Sequence, residues 1–222
     1  MPTSGLTRAD RKATGRALRA IVPRREHADW VAPADRPDPI SVLTATDASR
    51  LADLLPIRYG RMLASPFAFL RGSAGVMALD LAPTPRTGLQ VQACGDAHVS
   101  NFGEFGTPER NVVFDINDFD ETLPGPFEWD VKRLAVSIEV LLRQKGMAAP
   151  ARRAAVAGAV AVYRRRIGRF AGLRTLATWY AHISTDEVAQ FFPAEERPLL
   201  ARSRQGPQPH RSGGSREADE SA

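Results

Sequence analysis

The chain has a single cysteine, Cys94, in 222 residues. A disulfide framework and a four-cysteine zinc site within one chain are therefore excluded. Histidine is scarce as well. His27, His98, His182 and His210 lie far apart in sequence, which argues against a histidine-built zinc site. Lysine occurs only at Lys12, Lys132 and Lys145, so a single lysine precedes residue 95. No apolar run approaches the roughly 20 residues that span a bilayer. The first residues are polar and lack the apolar stretch of a signal peptide. A soluble, cytoplasmic protein without a membrane partner is the expectation.

Arginine, by contrast, is plentiful. The formal net charge is +5 and the pI is about 10.0, values that can accompany nucleic-acid binding. Here the arginines are spread along the chain, as a codon bias toward Arg and Ala would leave them. The tightest group, Arg164 to Arg166, falls on a helical stretch and reads as a solvated face. Nucleic acid is not an expected partner. The hydrophobic fraction of 43% is ordinary for a folded chain and sufficient for a core.

Periodicity predicts a helix over residues 4–21, then an extended, proline-bearing segment over 28–42 with Pro33, Pro37 and Pro39. Asp47 reads as the N-cap of a helix stopped by Pro56, and a short helix follows over 57–64. Ser65-Pro66 reads as a cap with proline at the first helical position, opening a helix to about Leu81. Gly72 and Gly75 within it argue for close packing or a bend. Leu89–Cys94 and Asn111–Ile116 read as two strands pairing as a hairpin, with residues 95–106 as its long loop. Trp129–Gln144 and Ala149–Phe170 read as helices, the first closed by Gly146. Shorter helices are expected over 175–183 and from Thr185. From about Ser203 the sequence is polar and reads as a disordered tail. The expected organisation is residues 1–45 as an N-terminal helix with an extended segment, 46–200 as the main domain, and 201–222 as the tail.

The chemistry-bearing stretch is Gly95–Asp120, with Asp96, His98, Asn101, Asp115, Asn117, Asp118, Asp120 and then Glu121. Carboxylates beside a buried strand are costly unless paired or bound to a cation. An oxygen donor set of this kind suits Mg²⁺ or Mn²⁺ rather than zinc. Asp96 and Asn101 stand at the Asp–x4–Asn spacing of a phosphotransferase catalytic loop, in which the Asp accepts the substrate hydroxyl proton and the Asn holds a metal. A second strand ends at Asp118-Phe119-Asp120, which supplies a further metal ligand. Asp118 is the first choice, with Asp115 and Asp120 as alternatives. Alternation along the strand places Asp115 on the face opposite Asp118. His98 reads as a loop-stabilising group, and Cys94 as a small buried hydrophobe. Asp130 suits either the first turn of a helix, where the dipole favours a carboxylate, or an anchor for the catalytic loop. Arg58, Arg61 and Arg71 are candidates for binding phosphate or pairing with the acidic cluster. Turn capping is the competing reading of the acidic residues.

The stretches RYGRMLASPFAFLRGSA, VQACGDAHVSNFG, VVFDINDFDETLPGPFEWDVKRLAVS and VYRRRIGRF resemble the bacterial family called domain of unknown function 2252, over roughly residues 14–192. More distantly, GDAHVSN followed by NDFDE is similar to the catalytic and metal loops of aminoglycoside phosphotransferases and other protein-kinase-like enzymes. That resemblance implies Asp96 as catalytic base, Asn101 and Asp118 as Mg²⁺ ligands, ATP as donor and a small-molecule acceptor. It likens Asp130 with Leu134-Ala135 to the Asp-Leu-Ala helix of those enzymes. The fold it implies is α+β and mainly helical, a protein-kinase-like C-lobe type core with a small β-hairpin carrying the acidic loop. Two departures stand out. No glycine-rich phosphate loop and no strand lysine precede Asp96. Family members also resemble one another beyond the point where this chain stops, which implies a truncated member without the part that grips ATP. A metal-dependent hydrolase and a non-catalytic remnant or binding module are the alternatives.

Overall fold

The computed structural model describes residues 6–109 and 111–195. The expected tail over 201–222, with His210, lies outside the described residues. The architecture is α+β with helix dominating and two small antiparallel sheets.

Helix α1, Arg8–Ile21, starts at Thr7, whose side chain forms a capping box with Asp10. None of its residues is buried. Helix α2 is Pro39–Asp47, capped by Asp38 with proline in the first turn. Asp47 therefore ends a helix instead of starting one. The Asp38-Pro39 pair is the stronger start signal, because the N–H that proline lacks would be unpaired there in any case. The same reason corrects Pro56. It sits in the first turn of α3, Leu55–Met62, and opens that helix rather than stopping the one before it.

The long helix expected from Pro66 to Leu81 is two. Helix α4, Pro66–Gly72, and helix α5, Ala74–Leu81, meet at Ser73, which is not helical. The break lies where Met62 packs against Gly72. A Cβ on Gly72 would stand 2.5 Å from the Met62 sulfur. Leu43, Met62 and Val76 form the buried apolar cluster at this end, with Val42, Tyr59 and Phe69 packed around it. Helix α2 thus shares a core with α3 and α5. Burying side chains of this size contributes roughly 1.5–3 kcal/mol each.

Strand β1 is Gln90–Ala93, β2 is Phe102–Gly106, β3 is Val112–Ile116 and β4 is Leu123–Pro126. The expected hairpin of the first and third of these does not form. β1 pairs with β4, from Gln90–Pro126 to Ala93–Leu123. β3 instead pairs with β2, from Phe102–Ile116 to Gly106–Val112. Residues 102–106 of the expected loop are therefore a strand. Two glycines and two aromatics in FGEFG disguise it, and Gly103 leaves room for the Asn117 side chain. Strand β4 reads Leu-Pro-Gly-Pro, and the prolines are tolerated because its sheet has only two strands.

Helix α6, Phe127–Gln144, follows β4 directly and ends in a Schellman motif. Gly146 takes φ +74°, its N–H donates to Arg143 O at 3.0 Å, and the Met147 N–H donates to Leu142 O at 3.0 Å. Helix α7, Ala149–Phe170, packs against α6 and carries Arg164–Arg166 on its exposed side. The short helix α8, Thr175–Trp179, strand β5, Ile183–Ser184, and helix α9, Thr185–Ala189, complete the described chain, with β5 extending the sheet of β2 and β3. No helix among the described residues is long and apolar enough to cross a membrane.

Candidate functional site

Helix α6 packs against β1 and the turn after it, and one face of α6 is polar where an apolar stripe would be expected. Asp130, Arg133 and Ser137 follow one another at helical spacing along that face. Each holds one point of the acidic loop. The Asp130 carboxylate accepts from the backbone N–H of Cys94 at 2.8 Å and of Gly95 at 3.0 Å. Arg133, 2% exposed, donates through Nε to Asp96 Oδ1 at 2.7 Å and through Nη2 to Leu70 O at 2.6 Å. Ser137 is fully buried and accepts from the Val99 N–H at 3.1 Å. Arg133 and Ser137 carry no sequence motif. The signal that could have found them is their polarity at positions in register with Asp130.

The turn that admits this grip requires glycine. Gly95 has φ +82°, and a Cβ there would lie 2.0 Å from Glu121 O. Asn101 then ties the loop to the strand end that follows β3. It is 4% exposed. Its Nδ2 donates to Asp96 O at 3.1 Å and to Asp118 O at 3.0 Å, while its Oδ1 accepts from the Asp118 N–H at 2.9 Å. The two aspartates are thus fixed relative to one another through their backbones.

His98 is buried behind Asp96. Its Nε2 is 3.4 Å from Asp96 Oδ2, and its ring meets the edge of Phe67. Its Nδ1 is buried without a hydrogen-bond partner. Burial holds the imidazole below its usual pKa; Asp96 opposes this, while the Arg71 and Arg133 charges reinforce it. Cys94 is buried, and burial foremost pushes its thiol up, with Asp130, Asp96 and Asp118 adding to the effect. That is the reverse of what a thiolate nucleophile needs.

In front of the loop lies a cavity of about 490 Å³. Asp96, Asp118, Asp120 and Glu121 line it. Arg50, Arg58 and Arg71 line it as well. Asp118, Asp120 and Glu121 are exposed, and Asp118 Oδ1 accepts the Asp120 N–H at 3.0 Å. Asp115 is not among the lining residues and bonds the N–H of the next residue instead. Arg61, Asn101, His98 and Asp130 do not line the cavity either. Among the described residues no group of three or more His, Cys, Asp or Glu side chains is drawn together tightly enough to cage a metal.

A family model described as "Uncharacterized protein conserved in bacteria (DUF2252)" matches residues 50–211. The chain belongs to this family. No curated protein and no solved structure matches it. The matched span of the DUF2252 chain contains Arg50, the start of the arginine side of the cavity, and the whole of the polar face of α6.

Proposed function

We propose that this cavity is the site of a Mg²⁺-dependent, protein-kinase-like phosphotransfer from ATP to a small-molecule acceptor. The observation that carries the reading is that Asp96 and Asp118 reach one cavity while the buried amide of Asn101 locks their backbones together. The donor set fits the metal. Mg²⁺ keeps several waters and binds through one or two carboxylates plus substrate phosphates, so a full protein cage is not needed. Asp118 and Asp120 would hold it, while Asn101, buried and outside the cavity lining, positions Asp118 through its backbone. When bound, the ion neutralises the negative charge of the phosphoryl oxygens.

Asp96 is the proton acceptor in this reading. Arg133 occupies Oδ1 and fixes the carboxylate plane, so Oδ2 takes the proton of the attacking hydroxyl. His98, beside Oδ2, sets the other edge of that position. Asp130 and Ser137 act through the backbone and hold the loop in place.

The test is Mg²⁺-dependent release of ADP from ATP, with water standing in for the acceptor. Asp96→Asn retains an oxygen for Arg133 and is the proper variant, since alanine would leave a buried guanidinium unpaired. Turnover should fall by roughly 10²–10⁴-fold, measured below the melting temperature, which should itself drop because Arg133 loses its counter-charge. Unchanged turnover in Asp96→Asn would overturn the base assignment, and absence of turnover in the parent chain would overturn the reaction.

A further inference from the structure

The arginine side of the cavity has no role in the proton transfer. It is built from the turn after α2, from α3 and α4, and from the first turn of α5. We propose that it is an oligophosphate subsite, in which Arg50, Arg58, Arg71 and the N-terminus of α5 grip the triphosphate of the donor. The inference rests on the phosphotransfer reading for the identity of the ligand, and on the following observations for the site.

Three arginines and four carboxylates line the same cavity, yet no ion pair within 4.0 Å joins one set to the other among the described residues. Charges of both signs face a shared space without closing on each other. A ligand that carries negative phosphates and a cation complements both sides at once. Arg58 is held ready. Its Nη2 donates to Gly72 O at 2.7 Å, its guanidinium lies 5.4 Å from the Tyr59 ring centre, and Asp47 stands 3.6 Å from Nη1. Arg50 and Arg71 make no side-chain hydrogen bond or ion pair among the described residues. A guanidinium matches phosphate oxygens two at a time, which favours arginine for this task.

The helix supplies a second, independent set of donors. Ala74, Gly75 and Val76 form the first turn of α5 and line the cavity. The Ser73 side chain does not cap them and donates to Leu70 O instead. The first-turn N–H groups have no partner within the helix, and the helix dipole favours an anion at that end. A Cβ on Gly75 would meet nothing within 4 Å, so the space beside this turn is open.

The test is calorimetric titration of the full chain with inorganic triphosphate, without metal, at two salt concentrations. The parent protein should bind, more weakly at high salt, and the Arg50→Gln, Arg71→Gln double variant should bind at least tenfold more weakly at an unchanged melting temperature. Asp118→Asn should not weaken metal-free binding. No metal-free binding by the parent, or equal binding by the double variant, overturns the subsite. If Mg²⁺ is required for triphosphate binding and Asp118→Asn alone abolishes it, the arginines merely balance the carboxylates; the subsite falls and the phosphotransfer reading stands. Binding through the arginines without any ATP turnover gives the converse result.

Discussion

Residues 94–101 and residues 118–121 both bring carboxylates to the cavity, but they are held in different ways. The first segment is gripped from behind by α6 at three points, through Asp130, Arg133 and Ser137. It is largely buried, and its one cavity-lining carboxylate is already bonded. The second segment is exposed and is tied back mainly through the Asn101 amide. On the proposed phosphotransfer reading, the difference separates two demands. A base must be placed before the substrate arrives, so its position is built into the packing. A residue that meets a hydrated cation gains from staying wet, because the ion keeps much of its water.

Substitutions can break this contrast, beginning where it is steepest. Gly95→Ala should cost at least about 3 kcal/mol, since a left-handed non-glycine residue costs roughly 1–2 kcal/mol and the collision with Glu121 O adds to it. Chemical denaturation measures the loss; a parent-like midpoint would show that the turn has slack. Arg133→Met should follow at about 2–3 kcal/mol, below the full cost of breaking a buried pair because Asp96 is partly solvated. Ser137→Ala leaves the Val99 N–H without its partner and should cost about 1 kcal/mol. In the exposed segment Asp118→Asn should shift stability by less than about 0.5 kcal/mol while removing the Mg²⁺ dependence of ATP turnover. Equal destabilisation by Ser137→Ala and Asp118→Asn would erase the distinction between the two segments.

The smallest expected effect is a pH dependence. His98 has a folded-state pKa below its ordinary 6.5, first because it is buried. The folded protein therefore binds fewer protons than the unfolded chain around that pH. The contribution of His98 is present above about pH 6.5 and is lost as pH falls through the lower folded value. Asp96 limits the shift, while Arg71 and Arg133 extend it. His98→Asn should flatten the midpoint-against-pH curve between neutral and mildly acidic pH. An unchanged slope would assign the dependence to other groups.

The contrast also explains what the sequence could reveal. The Asp96–Asn101 spacing, the Asp118-Phe119-Asp120 turn, and helices α6 and α7 are local features, with short-range signals that survive without the tertiary structure. The family match over residues 50–211 agrees with the motifs from which membership was expected. The arginine that fixes the Asp96 carboxylate is not local. Arg133 is 37 residues away and Leu70 is bonded to that arginine from 63 residues away. A polar residue on a helix face reads as solvent-facing until the loop that covers it is known. Strand pairing failed for a related reason. Leu-Pro-Gly-Pro has a turn composition, and only the position of β1 beside it makes it a strand. Pro56 and Asp47 were misplaced because a proline both ends and begins helices, and the choice depends on which cap is stronger.

Native-state hydrogen exchange, read residue by residue with and without Mg²⁺ and ATP, tests the central claim most directly. On the proposed phosphotransfer reading, a pre-built base loop and a wet cation-binding segment make opposite demands on it. The N–H groups of Cys94, Gly95 and Val99 should be protected in the free protein and change little on addition of the nucleotide. Residues 118–121 should exchange fast when free and slow down when Mg²⁺ and ATP are present together. Fast exchange at Cys94 and Gly95 in the free protein, or no slowing at residues 118–121, would contradict the account.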